Sequence, residues 1–147
     1  MNNNLMWTLR ITFVSLLFVG FFTGTATAQS DIYKRELAER FPAAKQVEWE
    51  FDDGYMTAEF RDEFNQEVEV KYNSEANWVM TKIDMYFRNL PENIRKAFQG
   101  SAYAQWRVDD IDYIEKAGDE PVYVLEVEKG EQEHKLIITA KGVLLNK

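Results

Sequence analysis

Apolar and polar residues alternate through the segment Val47–Phe60, and the alternation is interrupted once, at Asp53-Gly54. This period-two pattern on either side of an Asp-Gly pair predicts a β-hairpin with a type I′ turn, whose two positive φ angles suit Asp and Gly. The turn sets the register. Asp52 opposes Tyr55, Phe51 opposes Met56, Trp49 opposes Ala58 and Val47 opposes Phe60. One face of the ribbon is then apolar, and the other carries Glu48 against Glu59, Glu50 against Thr57 and Asp52 against Tyr55.

Upstream, Tyr33, Leu37 and Phe41 fall at i, i+4 and i+8, which predicts a helix capped by Ser30 and ended by Pro42. Downstream, Glu67–Tyr72 alternates, Asn73–Asn77 reads as a turn, and Trp78–Ile83 reads as another strand. The same order then begins again. Leu90, Ile94 and Phe98 repeat the helical spacing, with Pro91 at a first helical position and Gly100 as a stop. Tyr123–Val127, His134–Ile138 and Val143–Leu145 follow as strands. Asp109–Pro121 is expected to be a long hairpin loop, with a bulge where alternation fails between Val108 and Ile111. The expected architecture is α+β. Tandem helix–four-strand repeats (30–83 and 89–146) form one antiparallel sheet of about eight strands, with two helices packed on one face. Trp49, Phe51, Phe60, Tyr72, Trp78, Trp106, Leu125 and Leu136 are expected to be buried together beneath those helices, each worth roughly 1.5–3 kcal/mol.

The first residues read as an address label. Arg10 precedes an apolar run from Ile11 to Phe22, and Ala26-Thr27-Ala28 offers small residues for cleavage. A signal peptide 1–28 is therefore expected, leaving 29–147 as one domain. The run is shorter than the roughly 20 apolar residues of a membrane span, so no membrane attachment is expected after cleavage. An exported location follows, periplasmic or secreted. The chain has no cysteine, so no disulfide supports it and its core alone must hold it together.

Lys and Arg number 17 against 25 Asp and Glu, a net charge of −8 that grows by one once Arg10 is removed. Such a chain repels phosphate backbones, and no nucleic-acid role is expected. With no cysteine and a single histidine, His134, zinc sites of the usual kind and Cys–His catalysis are excluded. His134 reads as a partly buried strand residue. Asp109-Asp110-x-Asp112 lacks the spacing and central glycine of a calcium loop and reads as a solvated acidic stretch. No metal, no cofactor and no enzymatic activity are expected.

Candidate binding residues are of two kinds. Glu48, Glu50, Tyr55 and Glu59 form the acidic side of the first hairpin, where like charges opposite one another are unfavourable unless they splay into water or meet a cationic partner. Val122, Val124 and Ile137 point away from the expected core and lie near Asp110, Asp112 and Tyr113, giving an apolar patch with acidic neighbours.

The pieces Phe41-Pro42-Ala43-Ala44, Val47-Glu48-Trp49-Glu50, Asp53-Gly54-Tyr55, Ala58-Glu59-Phe60, Glu67-Val68-Glu69-Val70 with Tyr72, and Leu90-Pro91 resemble the PepSY-like, beta-lactamase-inhibitor-like domains of exported proteins in Bacteroides-type bacteria. The resemblance spans essentially the whole chain after residue 28. It implies a helix–four-strand repeat, a periplasmic or cell-surface location and a non-enzymatic role. In the inhibitor after which the family is named, the sheet face turned away from the helices grips a target enzyme. The expected function is therefore an inhibitor-like module that binds a protein or peptide partner through its open sheet face and loops. The alternative is a periplasmic small-ligand-binding or envelope-stress protein that uses a cleft between helices and sheet.

Overall fold

The computed structural model describes residues 26–145. Helix α1 (Ala26–Arg40) is followed by strands β1 (Glu48–Asp52), β2 (Tyr55–Arg61), β3 (Glu67–Tyr72) and β4 (Trp78–Asp84). A 3-10 turn, Phe87–Asn89, leads into helix α2 (Glu92–Gln99), and β5 (Arg107–Lys116), β6 (Val122–Lys129) and β7 (Gln132–Thr139) are the remaining elements among the described residues. The expected leader, residues 1–28, lies outside the described residues except for its last three, which begin α1. Ser30 is therefore interior to α1 and not its cap.

The fold is α+β, with a single antiparallel sheet in the order β1-β2-β3-β4-β5-β6-β7. The first hairpin has the expected register, from Glu48 opposite Glu59 to Asp52 opposite Tyr55. Its turn residues have φ of 49° at Asp53 and 82° at Gly54, the left-handed pair that a type I′ turn requires.

Three expectations are corrected. The sheet has seven strands among the described residues, not about eight. Val143–Leu145 touches β7 through one bridge, Ile138 to Leu144, flanked by the hydrogen bonds Thr139 N to Val143 O and Leu145 N to Ile137 O. Val143 and Leu145 stay more than half exposed, so burial adds little to hold them as a strand. Asp109–Lys116 is strand, not loop. A bulge between Val108 and Asp110 resets the alternation, so that Ile111 and Tyr113 fall opposite the core residues Leu125 and Tyr123. Phe51 holds its register but is 61% exposed, because β1 is an edge strand and α1 covers only the part of it around Trp49.

The buried apolar residues form two clusters on one sheet face rather than a single continuous core. Under α1, Tyr33 and Leu37 pack on Ala58, Phe60, Val68, Val70 and Tyr72. Under α2, Leu90, Ile94 and Phe98 pack on Ile111, Leu125, Val127, Leu136 and Ile138. The clusters meet at the half-buried pair Ile83 and Tyr113, where β4 joins β5. Beside that pair the row of facing residues turns polar, running Val70, Thr81, Glu115. Arg40 at the end of α1 sits on this seam, 3.6 Å from Glu115 and 3.8 Å above the Trp78 ring. A threonine and a glutamate at the join interrupt the apolar packing, and a cation–π and ion-pair contact takes its place.

Candidate functional site: the uncovered sheet face

Both helices pack on the same face, so the opposite one carries no helix among the described residues. Strand pairing places a single row of side chains across all seven strands of this outer face: Glu48, Glu59, Glu69, Lys82, Ile114, Val122, Thr139. A parallel row runs Arg61, Glu67, Asp84, Asp112, Val124, Ile137. The face thus divides into an acidic half on β1–β3 and an apolar patch on β5–β7, with Lys82 between them.

Charge in the acidic half is concentrated. Burial first, and then the neighbouring carboxylates of Glu69, Glu67, Glu50 and Glu48, push the Glu59 carboxyl above its ordinary range. Lys71 relieves part of this by lying 2.8 Å from Glu69. At the boundary, the Lys82 ammonium lies 3.1 Å from Asp112 and 3.2 Å from Asp84. Burial pulls its pKa down, but hydrogen bonds to Asp112 and Asp84 outweigh this and hold it above the usual value. Asp112 is pushed up to about 6, chiefly by burial, while the hydrogen bond from Lys82 pulls the other way.

A carboxyl whose pKa is raised by folding binds its proton more tightly in the native state. Its ionised form therefore weakens the fold as pH rises from its ordinary value, near 4, towards 6. Asp112→Asn is expected to remove this loss. Relative to the parent, the variant should gain stability between pH 4 and pH 7.5 by on the order of 1 kcal/mol, less than full conversion of the shift because the carboxyl is partly solvated. Urea unfolding at the two pH values measures this. A variant that loses ground at pH 7.5 would show instead that pairing with Lys82 outweighs burial.

Nine of the ten candidate residues share the outer face: Glu48, Glu50, Tyr55, Glu59, Asp110, Asp112, Val122, Val124 and Ile137. Tyr113 does not. It lies on the helix-covered face, with its ring 5.2 Å from that of Tyr123. Burial first, then the Glu115 carboxylate, pushes its hydroxyl up to about 12. Ile114 also belongs to the outer face but escapes sequence reading, because it falls in the stretch read as loop. Continuing the alternation beyond the bulge would have placed Ile114 beside Val122.

The remaining chemistry is occupied in other ways. Asp109 pairs with Arg107 at 2.9 Å and Asp112 with Lys82, so the acidic triplet is divided between two cations. His134 stacks flat on Tyr103, with 4.3 Å between ring centroids.

Residues 45–146 match the family model described as "Putative beta-lactamase-inhibitor-like, PepSY-like". Among solved structures, a BLIP-like protein from Bacteroides fragilis is 28% identical, with a TM-score of 0.72 and 86% of each chain covered. A DUF2874 family protein from Bacteroides ovatus is also 28% identical, with a TM-score of 0.68 over 78% of this chain and 83% of that one. A Bacteroides eggerthii protein described as "putative periplasmic" shares the fold at 23% identity, with a TM-score of 0.65 over 79% of this chain and 85% of that one. A search of curated proteins returns no match. On the family model and the arrangement of helices and sheet together, the chain belongs to the beta-lactamase-inhibitor-like, PepSY-like family.

Proposed function

We propose that this protein is an exported, non-enzymatic binding module. It engages a protein or peptide partner through the outer sheet face, with residues 1–28 serving as the export signal. The observation that carries the reading is the apolar patch of Ile114, Val122, Val124 and Ile137, side by side on a face that carries no helix among the described residues, and only partly buried. Apolar side chains grouped on an otherwise charged surface are the usual core of an interface, and the charged residues around them form its rim. Glu48, Glu50, Tyr55, Glu59, Asp110 and Asp112 supply that rim. The order helix–four strands, then helix–three strands, supports descent from a duplicated unit (30–83 and 89–146) whose second copy has lost most of its last strand.

The test uses the immobilised protein and periplasmic extract. A polypeptide retained by the parent is expected to bind the Val124→Lys, Ile137→Lys variant at least about tenfold more weakly. The Glu39→Gln variant, altered on α1, should retain it fully. Equal retention by the sheet-face variant, at an unchanged melting temperature, would remove the basis for the proposal.

A further inference from the structure

β1 is an edge of the sheet, and among the described residues no strand lies on its outer side. Turn geometry decides which groups it presents there. In a two-residue hairpin the pair flanking the turn, here Asp52 and Tyr55, exchanges both hydrogen bonds, and bonded and non-bonded pairs alternate from that point. Asp52, Glu50 and Glu48 therefore bond to β2, while Trp49 and Phe51 turn their N–H and C=O groups outwards. No loop or linker among the described residues bonds to these groups. The other edge of the sheet is treated differently: the chain doubles back, and Val143–Leu145 bonds to β7 at Ile137 and Thr139.

Edge strands are ordinarily closed by proline, lysine, a bulge or a covering segment. Among the described residues β1 has none of these, and its register with β2 runs unbroken from Glu48 to Asp52. On the helix-covered side it carries Trp49, whose ring lies 6.5 Å from that of Tyr33 on α1, and Phe51, which is 61% exposed. One more strand beside β1 would cover Phe51 and complete the backbone pairing together. A second copy of β1 does not suit. Antiparallel pairing of two copies through Trp49 and Phe51 sets Glu50 opposite Glu50 and Glu48 opposite Asp52, and like charges directly across a strand pair are unfavourable. Among the described residues no lysine or arginine pairs with any of these three carboxylates.

We propose that β1 accepts an extended polypeptide segment as an added antiparallel strand, with apolar residues opposite Trp49 and Phe51 and lysine or arginine opposite Glu48, Glu50 and Asp52. Backbone hydrogen bonds hold the segment, the two rings pack on its apolar residues, and the carboxylates select its charge. The edge shares Glu48 and Glu50 with the rim of the sheet-face site but not the apolar patch, which lies on β5–β7 across the sheet.

Amide NMR of the purified protein, with capped Lys-Val-Lys-Val-Lys as the probe, tests this. The Trp49 and Phe51 amides are expected to gain protection from hydrogen exchange, whereas the Glu50 amide, already bonded to β2, should change little. The same peptide with both valines N-methylated keeps its side chains and charge but lacks the donors that pair with Trp49 and Phe51. It should bind at least about tenfold more weakly. Capped Glu-Val-Glu-Val-Glu should lose as much, and the Glu48→Lys, Glu50→Lys protein should prefer it to the lysine peptide. The proposal is overturned if the lysine peptide leaves Trp49 and Phe51 unprotected, or if the N-methylated peptide binds equally well. Protection of these amides that grows with protein concentration alone would make a second copy the occupant and overturn it too. Shifts confined to Val122, Val124 and Ile137 would move the peptide to the sheet face, ending this proposal while supporting the earlier one.

Discussion

Leu125→Ala is expected to lower the stability of this protein by about 2–5 kcal/mol, the range for removing a large aliphatic side chain from a packed core. Leu125 has no exposed surface and pairs across the sheet with Ile111 on one side and Leu136 on the other, both of them buried. Ile94 and Phe98 of α2 belong to the same cluster, so the cavity is walled by several elements and cannot collapse by moving one of them. Denaturant unfolding measures the loss as a fall in midpoint at constant slope. The two-cluster core makes a further demand. Ile138→Val, under α2, and Val70→Ala, under α1, should have effects that add to within about 0.5 kcal/mol, since buried partners are not shared across the seam. Strong coupling between them would mean that the seam at Thr81 and Glu115 transmits packing, and that the core is one body after all.

The second large effect is expected at Gln66, a side chain that is polar and buried. Gln66→Leu keeps the volume but leaves Asn89 Nδ2, the Tyr86 amide and Asp62 Oδ2 without the partner each has in the parent. A buried polar group left unsatisfied costs about 1–3 kcal/mol, and the Asp62 carboxylate also organises its own turn by accepting from the Phe64 and Gln66 amides. A loss of about 2–4 kcal/mol is expected, with the linker carrying Tyr86 and Phe87 loosened first. Faster hydrogen exchange at the Tyr86 amide, measured beside the unfolding midpoint, distinguishes local release of this clamp from general destabilisation. Unchanged exchange at Tyr86 would show that the contact of Phe87 with Phe98 suffices to hold the linker.

The sequence is most legible where structure depends on near neighbours. The hairpin register from Glu48 to Glu59 follows from Asp53-Gly54 and a period of two, and the helices follow from Tyr33 and Leu37, and from Leu90, Ile94 and Phe98, at helical spacing. Side-chain alternation also places seven of the ten candidate binding residues on one face: Glu48, Glu50, Tyr55, Glu59, Val122, Val124 and Ile137; Asp110 and Asp112 lie in the stretch that reads as loop and join that face only through strand β5. Turn chemistry and periodicity act over a few residues, so they can be read without knowing what lies elsewhere.

Other features are decided between segments far apart in the chain, and only the tertiary structure shows them. Tyr113 faces the core because the bulge at Asp109 shifts β5 by one position against β6, and a one-residue shift exchanges the two faces of a strand. Phe51 is exposed because, among the described residues, nothing lies beyond β1 at that point, and Val143–Leu145 keeps a single bridge because little apolar surface is buried there. The division of the core into two clusters likewise arises from where strands and linkers meet. Local pattern determines which side chains share a strand face; what covers that face depends on burial against distant partners, which no short stretch of sequence contains.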